Sequence, residues 1–279
     1  GCPFRCEFCL SALDKSSWPF ETDRFLAAID GLYQRGARRF KFVDRTFNLK
    51  VATTLQILEF FYQRVDAALH LHFELVPDHL PAPLKQAIMR FPAGVLQFEL
   101  GVQSLNSAVQ ERIDRRQDNP KTLENLLWLQ QHRVHIHADL IFGLPGEGLD
   151  SIADGFNQLV ALGLPEIQLG ILKRLRGTTL ARHSDEFQMR YHPLPPYNLL
   201  ANCDLDFVTM QRLGRMARYW DLISNSGRFG HTLALICDPS PFQRFMGLSD
   251  WLFSTTGQTH KIELRRLFAL INEWLIEQG

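Results

Sequence analysis

The chain has no excess charge of either sign, because Lys plus Arg and Asp plus Glu number 30 each. The absence of a basic field removes the electrostatic footprint of nucleic-acid binding, and the absence of an acidic block argues against a disordered tail. No apolar run approaches the roughly 18 residues of a membrane-spanning helix, and no signal peptide is legible. Cysteine is scarce, five in 279 residues. That is too few, and too unevenly placed, for a secreted disulfide framework, so a reducing cytoplasm is the expected setting. Gly143-x-x-Gly146 lacks the lysine of a phosphate loop and the spacing of a dinucleotide fingerprint, which leaves phosphate binding unsupported. An initiating Met is also missing. The chain opens at Gly1 on what reads as a functional loop, so a fragment of a longer protein is expected.

What cysteine there is lies together. Cys2, Cys6 and Cys9 are spaced C-x₃-C-x₂-C, and three thiols within eight residues can close around one metal centre. A structural zinc site wants four protein ligands, usually as two separated pairs. Cys203 and Cys237 stand alone almost 200 residues away and read as packed thiols. An iron–sulfur cube takes four thiolates as a rule. Three leave one iron open, where a small chelating molecule can bind.

Hydrophobic periodicity predicts helices over 22–36, 55–65, 83–90, 106–131 and 151–162, the fourth broken near Asn119-Pro120. Strands are expected over 40–44, 69–76, 96–102, 134–142 and 166–172. Alternation of the two types indicates βαβ units and a parallel sheet, an α/β fold. Three of the strands also alternate in polarity. His70, His72 and Glu74 share one face; so do Gln97, Glu99, Gly101 and Gln103, and His135, His137 and Asp139. Apolar residues facing outer helices and polar residues facing a lumen suit a barrel better than a flat sheet buried on both sides. The strand feeding the cysteine loop would precede Gly1. The expected architecture is therefore a partial (β/α)6 barrel lacking its first strand, over 1–183. A stiff, extended linker at 184–196 is expected from Pro193, Pro195 and Pro196. A helical appendage would fill 197–279, with helices over 207–224 and 261–277 and the aromatic-rich 242–253 packed on the barrel.

The C-x₃-C-x₂-C loop with Phe8 before its last cysteine resembles the signature of the radical S-adenosylmethionine (radical SAM) superfamily. Gly101-Val-Gln-Ser104 and Asp139-Leu-Ile-Phe-Gly-Leu-Pro-Gly-Glu147, each ending a strand, are similar to segments that border SAM in that superfamily. The resemblance covers about residues 1–175. It implies a [4Fe–4S] cluster on Cys2, Cys6 and Cys9, with the open iron chelating SAM and reductive cleavage to a 5′-deoxyadenosyl radical. It implies SAM contacts from Gln103, Arg115 and Asp139, the last through ribose hydroxyls. It places Glu74 at an acidic position that meets the ligand, Phe8 beside the adenine, and Ile141 and Gly143 close by. Asp44-Arg-Thr-Phe-Asn48 stands where many members carry Gly-Gly-Glu, which makes Asp44, Thr46 and Asn48 the expected contacts there. Taken alone, Arg115 is either a fixed cationic fork for a carboxylate or a solvated helix residue beside Arg116. The histidine pairs on two strands are either metal ligands or imidazoles hydrogen-bonded in a polar lumen.

Residues 169–178 and 219–229 resemble an uncharacterised cobalamin-binding branch of the superfamily. That resemblance implies a cobalamin domain in the longer protein and methyl transfer or rearrangement on an unidentified small molecule. Anaerobic tetrapyrrole or porphyrin chemistry, as in an oxidative cyclase, is the enzymatic alternative. A non-catalytic metal-binding or electron-carrier scaffold is the alternative of another class. The implied partners are the small-molecule substrate and an electron donor such as flavodoxin or ferredoxin, with no nucleic acid and no membrane.

Overall fold

Five segments form strands, the second to fourth with period-two alternation: β1 (Arg39–Lys41), β2 (His70–Leu75), β3 (Leu96–Gln103), β4 (His135–Phe142) and β5 (Glu166–Ile171). The computed structural model, which describes residues 2–14 and 20–278, pairs them in parallel in the order β1-β2-β3-β4-β5. Their apolar residues lie on one side. Leu71 and Phe73, Phe98 and Val102, and Ile136 and Ala138 are all at most 1% exposed. Each large apolar side chain buried this way contributes roughly 1.5–3 kcal/mol. Phe73 stacks on Phe47 at 4.0 Å and leans on Phe42 at 4.5 Å, so the loop after β1 is pinned to the sheet.

Helices α1 (Thr22–Gln34), α2 (Val51–Tyr62), α3 (Ala82–Met89), α4 (Ser107–Arg112), α5 (Asn119–Gln131) and α6 (Leu149–Ala161) fill the connections. The α/β class and the five strands are as the periodicity predicts. The break between α4 and α5 falls earlier than expected, at 113–118. Pro120 does not interrupt a helix; it sits in the first turn of α5, where its missing N–H costs nothing. Asp118 caps that turn by accepting from the Lys121 N–H at 3.1 Å.

The stretch expected as an extended linker is folded instead. β6 (Arg190–Tyr191) pairs antiparallel with β7 (Leu199–Ala201). Tyr197 N–H donates to Leu194 O at 3.0 Å, closing a reversal around the prolines. The returning chain lies against the exit of β5, where Leu199 N–H donates to Leu172 O (2.8 Å) and Arg174 N–H to Tyr197 O (3.0 Å). Prolines fix φ equally well for a turn or for a spacer, and here the backbone partners decide. Beyond lie α7 (Phe207–Trp220), a π-helical turn (Asp221–Asn225), α8 (Gly230–Cys237), α9 (Pro241–Thr256) and α10 (Leu264–Gln278). Trp220 meets Phe156 of α6 at 4.7 Å and Phe245 at 4.8 Å, and Phe242 N–H donates to Asn157 Oδ1 at 2.8 Å. The aromatic-rich 242–253 thus packs on the barrel's outer helices. Among the described residues no helix is long and apolar enough to cross a membrane.

Candidate cofactor site

The cysteine loop closes on itself. Cys9 N–H donates to Cys6 O at 3.1 Å, Ala12 N–H to Cys9 O at 3.2 Å, and Cys2 N–H to Asp14 O at 3.0 Å. Cys2 and Cys6 are buried and Cys9 is half-buried. Burial pushes the Cys2 and Cys6 thiols up; at Cys6 this is opposed by Arg115, whose Nη1 lies 3.6 Å from Sγ. Among the described residues no three His, Cys, Asp or Glu side chains gather as ligands of a single ion. Tetrahedral zinc would hold its thiolates about 3.8 Å apart. A polynuclear cluster spaces them farther, each on its own iron.

Glu7, inside this loop, is a feature that the sequence reasoning passed over. It is 5% exposed. Its N–H donates to Ile113 O (3.0 Å) and its O accepts from Leu180 N–H (3.2 Å). Its carboxylate takes His183 Nε2 at 2.8 Å and the Arg182 guanidinium. The available signal was a lone acid between two thiols, but its partners come from 176 residues away.

The thiols open on a cavity of about 360 Å³ at the C-terminal ends of the strands, where α/β barrels build their sites. Phe8, Thr46, Glu74, Gln103, Arg115, Asp139 and Ile141 line it together with the three cysteines. β3 is irregular at this end. Its register with β4 shifts between Gly101 and Gln103, and Gln103 adopts φ +70°, a left-handed conformation rare for a side chain of this kind. Gly101 makes room for it, since a Cβ there would lie 2.5 Å from Gln103 Nε2. Arg115 is a fixed cation: its guanidinium donates to Gly101 O and reaches Gln117 Oε1 through Nη2 (2.8 Å) and Nε (3.1 Å). Glu74 accepts from Arg45 at 2.5 Å, while burial, then Glu99, pushes its carboxyl above the usual range.

Asp139 carries the most informative atom. Its Oδ1 is buried without a hydrogen-bond partner. His137 Nε2 lies 3.1 Å away, but its hydrogen-bond geometry is met by Gln168 Oε1 at 2.6 Å. Burial pushes the Asp139 carboxyl up, outweighing the pull of His137. For His137 burial disfavours the charged form; Asp139, Glu166 and Gln168 together outweigh that and push it up to about 9. Of the four histidines in the strand pairs, His72 meets Glu99 at 3.2 Å, His135 meets Glu166 at 3.4 Å, and His137 meets Asp139 at 3.1 Å.

Three expected contacts lie elsewhere. Asp44 is exposed and accepts from Thr46 N–H (2.9 Å) and Oγ1 (3.2 Å), a local turn bond. Asn48 is buried, with its amide spent on Val76 N–H (2.8 Å), Val76 O (2.8 Å) and His79 O (2.5 Å), clamping the loop after β2. Gly143 turns the chain at φ +95°, packed against Leu199 and Met210 of the C-terminal region. Arg45, Glu99 and Gln117 line the cavity without having been singled out for it. Of the distant thiols, Cys237 is buried as expected; Cys203 is exposed, 3.4 Å from Asp204 Oδ2, and is not a packed thiol.

Residues 1–159, more than half of the chain, match the family described as the radical SAM superfamily, and residues 185–279 match a protein family of unknown function, DUF4080. Over 93 residues the chain is 30% identical to anaerobilin synthase of Escherichia coli O157:H7, covering 32% of this chain and 20% of that protein. Among solved structures it is similar to TsrM, a radical S-adenosylmethionine methyltransferase from Kitasatospora setae, with a TM-score of 0.59 at 14% identity over 71% of this chain and 40% of that one. TsrM has been solved with a tryptophan substrate and a SAM analogue, and with cobalamin and a [4Fe–4S] cluster. The chain is also similar to coproporphyrinogen III oxidase (HemN) of Escherichia coli, with a TM-score of 0.51 at 16% identity over 75% of this chain and 49% of that one. It therefore spans a fifth to a half of the relatives it matches. Identities this low establish the fold, while the family match identifies the lineage: the chain belongs to the radical SAM superfamily, whose members are enzymes that use a [4Fe–4S] cluster and SAM.

Proposed function

We propose that this chain carries the SAM-cleaving site of its parent enzyme, with the cluster on Cys2, Cys6 and Cys9 and SAM in the adjoining cavity. The observation that carries the reading is that the three thiols share one cavity of about 360 Å³ with Gln103, Arg115 and Asp139. When bound, the cluster and SAM supply reductive cleavage of the sulfonium carbon–sulfur bond.

The chain's own residues position the reactants. Arg115 has Nη2 and Nε committed to Gly101 and Gln117, which leaves Nη1 beside Cys6 as a fixed charge for a carboxylate. Gln103 is aimed into the cavity by its left-handed backbone. Phe8 and Ile141 offer apolar surface to a purine. Glu74, Arg45 and Thr46 line the same cavity and offer polar groups to an amino group. The His137–Asp139 pair keeps a proton at the cavity wall.

Methyl transfer or rearrangement of a small molecule, with cobalamin in the longer protein, is the reaction we favour; the fold shared with TsrM supports it. A second reading, tetrapyrrole chemistry, is supported by the 93-residue identity to anaerobilin synthase. A flavodoxin or ferredoxin in the cytoplasm would supply the electron. The test is anaerobic reconstitution followed by dithionite and SAM. The wild-type chain should release 5′-deoxyadenosine, and Asp139→Ala should bind SAM about tenfold or more weakly while keeping its iron. Unaltered SAM affinity in Asp139→Ala would refute the placement.

A further inference from the structure

On the lumen face of the sheet one imidazole is surrounded by acceptors. His137 shares a face of β4 with Asp139, and β5 sets Glu166 opposite it in register. Its Nδ1 lies 3.5 Å from Glu166 Oε1, and its Nε2 lies 3.1 Å from Asp139 Oδ1 and 2.6 Å from Gln168 Oε1. A neutral imidazole has one N–H and would turn the lone pair of its other nitrogen towards a carboxylate. Only the imidazolium donates at both nitrogens, so these surroundings hold His137 charged. Burial disfavours that charge, but Asp139, then Glu166 and Gln168, outweigh it and push His137 up to about 9.

Glu166 is itself fixed. Its other oxygen, Oε2, lies 3.4 Å from His135 Nε2, so one carboxylate spans two imidazoles, and His135 leads in holding it below the usual carboxylate range. At the far end Asp139 lines the cavity of the three thiols, whereas His137 and Glu166 do not. Burial pushes the Asp139 carboxyl up, and His137 is the strongest influence against that; Glu99 on β3 adds to the rise and Arg115 opposes it. The other cations nearby are turned to other groups. Lys41 and His72 meet Glu99 at 3.6 and 3.2 Å, Arg45 is paired with Glu74, and Arg115 is committed to Gly101 and Gln117. Among the described residues His137 is the cation in contact with Asp139.

Building on the reading that Asp139 meets the ribose of SAM, we infer that His137, clamped by Glu166, is a positioning residue of this site: its charge keeps Asp139 a carboxylate, able to accept two hydroxyl donors at once. A protonated carboxyl gives one of its positions to its own proton and loses the negative charge that strengthens such bonds. His137 and Glu166 touch no ligand and act through Asp139. The ionised form of Asp139 exists above its folded pKa, so removing the neighbouring cation moves the onset of tight binding to higher pH.

His137→Gln keeps a polar side chain without the charge. In the reconstituted, unreduced chain, equilibrium dialysis of SAM should show binding about tenfold or more weaker than wild type at roughly pH 6. The deficit should shrink towards nothing at about pH 9, where Asp139 ionises unaided and wild-type His137 is losing its proton. Lost packing alone would weaken binding equally at both. A second readout needs no SAM. The Hε1 resonance of His137, identified by its disappearance in His137→Gln, should titrate at about 9 in the wild-type chain. In Glu166→Gln, with helices retained by circular dichroism, it should titrate about one unit or more lower. A His137 that titrates in the ordinary imidazole range in the wild type, or is unmoved by Glu166→Gln, would overturn the inference. A normal loss of affinity in Asp139→Ala beside a pH-independent deficit in His137→Gln would sink it alone, whereas unaltered affinity in Asp139→Ala would sink it together with the ribose reading.

Discussion

Glu7→Ala should loosen the cysteine loop before any iron is bound. The two backbone bonds of Glu7, to Ile113 and Leu180, survive the substitution. What is lost is the carboxylate's hold on His183, both side chains being at most 10% exposed, and on Arg182, which is 63% exposed. A hydrogen bond to a charged group in a buried setting contributes about 1.5–3 kcal/mol. The Arg182 bridge reaches into water and adds only about 0.2–1 kcal/mol. The substitution should therefore cost about 2–4 kcal/mol. Urea unfolding of the iron-free chain, followed by far-ultraviolet circular dichroism under argon, reads this as a lower midpoint at unchanged slope. Glu7→Gln retains an acceptor for one partner and should recover part of the loss. Iron uptake on reconstitution should slow in the order wild type, Glu7→Gln, Glu7→Ala, because a loop that is not preorganised must be ordered by the cluster itself. A midpoint for Glu7→Ala equivalent to less than about 0.5 kcal/mol of change would refute the latch.

Two other outcomes follow from buried groups. Burial pushes Glu147 up to about 7 against its bonds to Ser104 and Ser151. The folded chain thus holds this proton more tightly than the unfolded one. The contribution is present below about 4.5 and is lost as pH rises through about 7, on the order of 3 kcal/mol. Urea midpoints from pH 4.5 to 8 should fall less steeply in Glu147→Gln, and an unaltered slope would exclude this source. Gly101→Ala sets a Cβ 2.5 Å from Gln103 Nε2, the mobile end of a side chain. SAM affinity should drop severalfold with little change in unfolding midpoint; a large loss of stability instead would mean that Gln103 cannot move aside.

The strands and the lumen were legible because alternation has period two, and His72, Glu99, His137 and Asp139 can share a face only if the neighbouring strands are in register. The cavity's thiols, Gln103 and Asp139 followed from the resemblance of their segments to those that border the cluster and SAM in the superfamily. What failed depended on partners remote in sequence. Asn48 has the chemistry of a ligand contact, yet its amide is consumed by Val76 and His79, some 30 residues on. Gly143 turns the chain after β4, but Leu199 decides that it faces the C-terminal helices. The prolines at 193–196 stiffen the chain, and only the β5 exit determines that the stiff piece folds back. α8 is eight residues long and follows a turn, with too few positions for a helical period to register.

The central claim is that Cys2, Cys6 and Cys9 hold a cluster and not a single ion. Anaerobic reconstitution of the chain, followed by iron, sulfide and zinc analysis, tests it most directly. The chain should take up about four irons and about four sulfides, unaffected in Cys203→Ala with Cys237→Ala and lost when Cys2, Cys6 and Cys9 are all Ala. About one zinc per chain without sulfide, or iron retained in the triple variant, would contradict it.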